Sequence, residues 1–320
     1  MAEFRTYTAI GQREDLSNTI FNIAPTETPV VSSIGKTKAT ATYHEWQTDD
    51  LAAASAGGLI EGADASGASD TPTTRVGNRT QIQGKTVHIS GTLDAVDKAG
   101  RKTETAYQLA KAGQELKRDM EKTILGNVAA SNGTAGSAAR LLGSIQSWLG
   151  TNFVTMTDGV APVNANGTAA RTEGATASAF TEAKLKDVVK SCFENGGNPT
   201  LLVVPPTQKQ VVSTFAGIAA QRYEAPAAKA TTIIGAADVY LSDFGTLSVV
   251  PDRFMTADTT PDAEQALVLD PTMASVATLR PFESNLLAKT GDSEKHQMLV
   301  EYTLQVSNEK AHGIVADLAV

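Results

Sequence analysis

Cysteine is almost missing from this chain. Cys192 is the single one, which excludes an intramolecular disulfide framework and any cysteine-rich zinc or iron–sulfur site and suits a reducing compartment. Long apolar runs are missing too: nowhere do eighteen apolar residues follow one another, so no membrane-spanning helix is expected. The opening residues MAEFRTYTAIGQREDLSN carry charges at Glu3, Arg5, Arg13, Glu14 and Asp15 and lack the apolar stretch of a secretory signal. Aromatics make up only 5% and do not interleave with a basic patch, which leaves no stacking surface for single strands. Basic residues are outnumbered, 27 Lys and Arg against 35 Asp and Glu, for a net charge of −8. An acidic chain without a basic stripe gains nothing from phosphate neutralisation, so a direct grip on nucleic acid is not expected.

Catalytic motifs are equally scarce. Gly35-Lys36-Thr37 and Gly84-Lys85-Thr86 look like the end of a phosphate-binding loop, but the glycine five residues earlier is replaced by Val30 and Arg79. No GxGxxG, GxSxG or HExxH occurs. The four histidines, His44, His88, His296 and His312, are scattered, and none has a second ligand at helical spacing. They read as sheet-surface or interface residues rather than metal ligands or bases. Cys192 falls on the apolar face of an expected helix and reads as a small buried hydrophobe. The acidic pairs Asp49/Asp50 and Asp94/Asp97 lack calcium-loop spacing and read as solvated charge near turns. No catalytic residue, cofactor or metal is therefore expected, although a hydrolase on the α/β stretch from Thr181 to Asp270 stands as the rival reading from another class.

What is present is a folded composition: 320 residues, 41% hydrophobic and 19% charged, enough for about two domains. Residues Leu51 to Thr74 are dominated by Ala, Gly, Ser, Thr and Asp and supply no core, so they read as an exposed excursion. Strand-like segments flank it, Thr37–Thr48 and Arg79–Thr92, and together they predict a long two-stranded arm. Such a hairpin is marginal alone, which points to assembly.

Thr103–Leu125 predicts a helix of roughly 35 Å at 1.5 Å per residue. Its narrow stripe is Ala106, Leu109, Ala110, Gly113, Leu116, Met120 and Ile124, and Gly126-Asn127 stops it. Residues 127–178 are rich in Gly, Ala, Thr and Asn around one apolar island, Ala139–Leu149. From Thr181 an α/β alternation begins. A Thr181-capped helix carries Leu185, Val188, Val189 and Cys192, the strand Leu201–Val204 follows, and Thr207 with Gln210 suggests a capping box on a short helix. A hairpin of Val239–Leu241 with Leu247–Pro251 and the strand Ala266–Asp270 complete it. Met298, Val300, Tyr302, Leu304 and Val306 alternate as in a half-buried strand, and a last strand starts at His312.

This order of elements resembles the major capsid protein of tailed bacteriophages, the Hong Kong ninety-seven type fold. The wording of AYQLAKAGQELKRDMEKTIL, ARLLGSIQSWLGTN, FENGGNPTLLVVPPTQK, FGTLSVVPDRFM and EYTLQVSNEKAHGIV is similar to a phage major head family. The resemblance implies an α+β class with an N-arm at 1–35, an E-loop at 36–91 and a peripheral domain at 92–178, with spine helix 103–125 and return strands 271–320. The axial domain would occupy 179–270. It further implies pentamers and hexamers forming a virion shell around double-stranded DNA, without specific DNA binding, assembled in the host cytoplasm. An encapsulin-like nanocompartment is the alternative within the fold. No long helical pro-segment precedes the arm, so a separate scaffolding protein is expected, together with a portal and a decoration protein. No lysine occurs between Lys38 and Lys85, so the tip lacks the amine for a lysine–asparagine crosslink. The candidate intersubunit residues are Tyr43, Trp46, Asp49, Asp50, Arg75 and Arg79 on the arm. Arg75 and Arg79 are expected to meet a neighbour's Glu115, Asp119 and Glu121 on the wet side of its spine helix.

Overall fold

The computed structural model describes residues 26–54, 56–58, 60–62, 64, 72–155, 158–215, 238–255 and 265–319. Most of the expected N-arm and part of the arm's tip lie outside the described residues. Helix α1 (Pro29–Ser33) leads into β1 (Gly35–Lys38), β2 (Tyr43–Thr48), β3 (Thr74–Arg79) and β4 (Gln81–Ser90). The short α2 (Gly91–Ala95) precedes the long α3 (Glu104–Leu125), and β5 (Phe153–Val154) follows a loop-rich stretch. Then come α4 (Glu182–Glu194), β6 (Leu201–Val204), α5 (Pro206–Val212), β7 (Val239–Ser242), β8 (Gly245–Pro251) and β9 (Ala266–Leu269). Strands β10 (Ala274–Leu286), β11 (Ser293–Val306) and β12 (Gly313–Val315) close the chain.

Among the described residues the strands form three sheets: β1-β10-β11-β4, β5-β12-β9-β6-β8-β7, and the ribbon β2-β3. The long-arm expectation is corrected by the pairing. Tyr43 to Thr48 pair with Arg79 to Thr74, whereas Gln81 to Ser90 pair with Tyr302 to Ser293 of β11. The physical reason is length. The ten backbone positions of β4 find ten partners on β11, while β2 offers six, so the longer ladder satisfies more backbone groups. The expected α/β unit at 179–270 also borrows strands from outside: β12 pairs with β9 and β5 with β12.

Strands β6 and β9 are wholly apolar because both of their faces are covered. Leu201, Val203, Leu267 and Leu269 enter one core, together with Met120, Ile124, Leu142, Ile145, Trp148, Tyr302 and Leu304. Leu202, Val204, Ala266 and Val268 enter a second, under α4 with Leu185, Val188 and Cys192. Thr181 caps α4 by accepting from the Lys184 amide, as its position suggested. The Thr207–Gln210 capping box does not form. Pro206, with its φ already fixed near helical values, starts α5 two residues earlier than a Thr207 cap would, and Pro205 is the cap.

The spine helix α3 keeps its expected length and its stop at Gly126, but its buried side differs in the first half. Ala106 and Ala110 are exposed and Ala112 is buried. Five of its seven buried positions, Glu104, Ala112, Leu116, Met120 and Ile124, step in fours or eights, which drifts about 40° per four residues around the helix, and Glu121 and Leu125 widen the buried side at its C-terminal end. Its first turn is capped from α2, whose Asp94 accepts from the Glu104 amide at 2.8 Å.

Candidate functional site

The ribbon β2-β3 has two unlike faces because successive side chains alternate. On the inner face Trp46 and Val76 join the first core, and the Trp46 ring lies 5.3 Å from that of Trp148. Trp148 in turn lies under Gly167, whose φ is +77° and where a Cβ would sit 2.6 Å from the indole, so the overlying loop tolerates no side chain there. Nε2 of His44 is 3.0 Å from Gln305 Oε1. Asn78 is fully buried and fully used: it donates to Gly143 O and Leu304 O and accepts from the Gly143 and Arg79 amides, all within 2.9 Å. The base of the arm is therefore fixed.

The outer face carries the sequence-derived candidates. Arg79 places its guanidinium 4.5 Å over the Tyr43 ring, and Arg75 forms an ion pair with Glu45. Gly77 lies between them, and a Cβ there would be 2.7 Å from Glu45 Cγ and 2.9 Å from Tyr43 Cζ, so glycine lets both side chains cross the strand. Below, Asp50 takes Lys310 Nζ at 2.6 Å and Asp49 accepts from the Asp50 amide. The structure thus brings Tyr43, Arg75 and Arg79 onto one open face, turns Trp46 inward and gives Asp50 a partner within the chain.

On the spine helix, Glu115 lies 3.9 Å from Lys111, and Asp119 pairs with Lys85 at 2.9 Å. Glu121 is not on the wet side. It is fully buried, and its two oxygens accept the Val30 and Val31 amides at 2.7 and 2.8 Å. Burial pushes Glu121 up to about 8.

Two buried ionic sites were not foreseen. Glu301 accepts from Thr80 Oγ1 and Arg280 Nε at 2.8 Å each and also pairs with Arg140, which ties the base of the arm to the loop after α3. Arg171 emerges from the featureless Gly/Ala/Thr stretch with a side chain only 1% exposed. It donates to Asp317 Oδ1 at 3.1 Å and to Gln146 Oε1 at 2.7 Å. No periodic pattern surrounds Arg171, so nothing local marks it.

The chemistry of an active site does not assemble among the described residues. Burial pushes the Cys192 thiol up to about 12, far from a thiolate at neutral pH. His88 meets Ser293, and no group of three or more His, Cys, Asp and Glu could hold a metal among the described residues. His312 is not a surface histidine. It is fully buried, its Nδ1 accepts from the Asp270 amide at 3.1 Å and its Nε2 faces Met273 O, which selects the neutral tautomer protonated at Nε2. Desolvation pulls it down to about 4. The unfolded histidine takes up its proton below about 6.5 while the folded one does not, so this contribution is intact above about 6.5 and is lost as pH falls toward 4. Relative to His312→Gln, the parent subunit is expected to lose about 3 kcal/mol of unfolding free energy across that window, measured by denaturant titration at several pH values. A parent-minus-variant difference independent of pH would mean that the ring does not titrate in this range.

The family model described as SU10 major capsid protein matches residues 4–319. A major capsid protein of Escherichia phage Phieco32 is 38% identical over 123 residues, covering 38% of this chain. The match spans 35% of that relative's length. Among solved structures, the cyanophage A-1(L) capsid asymmetric unit aligns with a TM-score of 0.68 at 12% identity, covering 96% of this chain and 97% of that one. The holo-SrpI encapsulin complex from Synechococcus elongatus aligns at 0.55 and 10% identity, covering 99% and 96%. At these identities the likeness is one of fold.

Proposed function

The chain belongs to the SU10 major capsid protein family, and we propose that many copies of it join as pentamers and hexamers into an icosahedral shell enclosing double-stranded DNA. The observation that carries this is the arm: its base is held by Trp46, His44 and Asn78, yet Leu51 and Ile60 beyond it are almost fully exposed. Apolar residues displayed on a segment with no core of its own gain from burial against a neighbour. The N-arm is assigned to 1–35, the E-loop to 36–91, the peripheral domain to 92–178 with 271–320, and the axial domain to 179–270. Strands β5 and β12 lend their edges to the axial sheet. A scaffolding protein, a portal and a decoration protein are the expected partners, and assembly is expected in the host cytoplasm. The role is structural, with no catalytic step. The net charge of −8 lets a polyanion fill the interior without adhering to the wall.

Electron microscopy of the purified protein, alone and co-expressed with its phage partners, tests the reading. Uniform shells are expected, and subunits that never assemble would overturn it. The encapsulin likeness supports only the fold, and particles loaded with an enzyme rather than DNA would favour that alternative.

The outer face of the arm is assigned to the neighbour's surface, with Tyr43, Arg75 and Arg79 at its centre and Glu115 and Asp119 of the adjacent spine helix as the acidic partners. Arg75→Ala with Arg79→Ala is expected to cost the subunit at most about 1 kcal/mol, because Arg75 is exposed in its pair with Glu45 and half-buried Arg79 loses only its stacking on Tyr43. Shells of the double variant should come apart at lower denaturant and lower salt than the parent's. If they dissociate like the parent's, the arginines serve only Glu45 and Tyr43 of their own arm.

A further inference from the structure

Three asparagines of the chain are followed by glycine: Asn132, Asn166 and Asn195. Asparagine is thermolabile, and a following glycine has no Cβ to shield its own nitrogen from the asparagine side chain. What that nitrogen can do depends on what holds it. The Gly167 amide donates to the carbonyl of buried Ser147 at 3.1 Å, and Gly167 is packed against Trp148. Asn166 Oδ1 accepts from the Thr168 amide at 3.2 Å. At the end of α4 the Gly196 amide donates to Phe193 O at 3.0 Å, and Asn195 Nδ2 donates to Asn152 Oδ1 and Ser191 O, both at 2.9 Å. Asn132 is different. It is exposed, and its side chain has no hydrogen-bond partner among the described residues. The Gly133 amide meets only the hydroxyl of exposed Ser131, at 3.2 Å, a bond that water replaces at little cost.

We propose that Asn132 is a spontaneous modification site, deamidating in the folded subunit while Asn166 and Asn195 are held against it, and that the isoaspartyl product loosens the hairpin that carries Arg140. In the first step the Gly133 nitrogen loses its proton to base and bonds to Asn132 Cγ. The Cγ–Nδ2 bond breaks, and the side-chain nitrogen takes a proton from water and leaves as ammonia. In the second step water opens the cyclic imide at one of its carbonyls, giving aspartate if the bond from Cγ breaks and isoaspartate if the main-chain one does. Water enters, ammonia leaves and no electron is transferred, so solvent is the only reagent. The consequence lies in the hairpin. Ser131 and Leu141 exchange both backbone hydrogen bonds at 3.0 Å, and Thr134 and Ala138 do so at 2.9 and 3.0 Å. Between them Gly133, at φ +68°, comes so close to the opposite side that a Cβ would be 2.5 Å from Ala138 O and 2.8 Å from Arg140 N. Isoaspartate lengthens the backbone by one carbon next to that contact, so the hairpin has to widen at Arg140. Arg140 is the residue that ties this loop to Thr80 O and Glu301 at the base of the arm.

Purified subunits aged for days in mildly alkaline, heavy-oxygen water, folded or unfolded in urea, test this by peptide mass spectrometry. In the folded subunit Asn132 should convert at least about tenfold faster than Asn166 or Asn195, because the held sites react only through rare local opening. In urea the three should converge, and each converted residue should carry solvent oxygen. Hydrogen exchange at the Leu141 amide, which donates to Ser131 O, should be faster in the isoaspartyl fraction than before ageing. Asn132→Gln, whose longer side chain closes the ring far less readily, should age without either change. Folded-state conversion at Asn132 no faster than at the other two would overturn the site. Rates that stay unequal in urea would trace the selectivity to local sequence and overturn the protection of Asn166 and Asn195. An isoaspartyl fraction that exchanges like the unaged protein would overturn the link to Arg140.

Discussion

Replacing residues 51–73 by a short glycine-containing turn is expected to abolish shell assembly while leaving a folded subunit. The described residues of that segment add nothing to either core: Leu51 is 99% and Ile60 81% exposed. What anchors the arm lies below the cut. Trp46 stacks on Trp148, Asn78 makes four hydrogen bonds, and the ladder from Tyr43–Arg79 to Thr48–Thr74 brings the two chain ends side by side. Thr48 and Thr74 are directly opposed, so a tight turn can close them without disturbing the register. Circular dichroism and the denaturation midpoint should therefore match the parent, and electron microscopy should show no closed shells. Loss of folding on deletion would place the segment in the core instead, and intact shells would show that the arm's tip is dispensable.

Arg171→Met is expected to cost roughly 3–5 kcal/mol of subunit stability, the usual consequence of breaking a buried ion pair from one side. Asp317 is fully buried, and besides Arg171 it accepts from the Gly174 amide and Thr155 Oγ1. Those donors soften the loss but supply no positive charge. The guanidinium also holds Gln146, whose amide caps Leu125 O at the end of the spine helix. One substitution thus loosens the 158–178 loop, the C-terminal segment and the helix end together. Denaturant unfolding of the variant measures the cost. The double variant Arg171→Met with Asp317→Asn should recover part of it, because the unpaired charge is gone. A single variant as stable as the parent would mean that water or a rearranged donor already serves Asp317.

Much of this was legible in the residues themselves. The spine helix, its glycine stop, the Thr181 cap and the two fully apolar strands follow from spacing and composition, because capping, helical periodicity and two-sided burial leave local marks. The small-residue tip was legible too, since a stretch of Ala, Gly, Ser and Asp cannot make a core wherever it is placed. The candidate surface was legible only in part. Tyr43, Arg75 and Arg79 do share the open face of the arm, as strand alternation requires once the pairing is known. Trp46, on the same strand, points the other way by one residue's difference in phase.

Composition, charge and periodicity determined the long helix, the stretch at 51–74 that supplies no core and the lack of catalytic motifs, while the resemblance to the phage head family implied the class of the fold. Tertiary structure decided the rest: that β4 leaves β2 for β11, that β5 and β12 extend the sheet of β9, β6, β8 and β7, and that Glu121 and Arg171 turn inward. The backbone groups of any strand are chemically alike, so a sequence shows that a strand exists but not which distant strand completes its ladder. A charged side chain is likewise the same residue in water or in a core. Its burial depends on partners brought from far along the chain, such as Val30 and Val31 for Glu121 or Asp317 for Arg171, and those meet only when the sheets close.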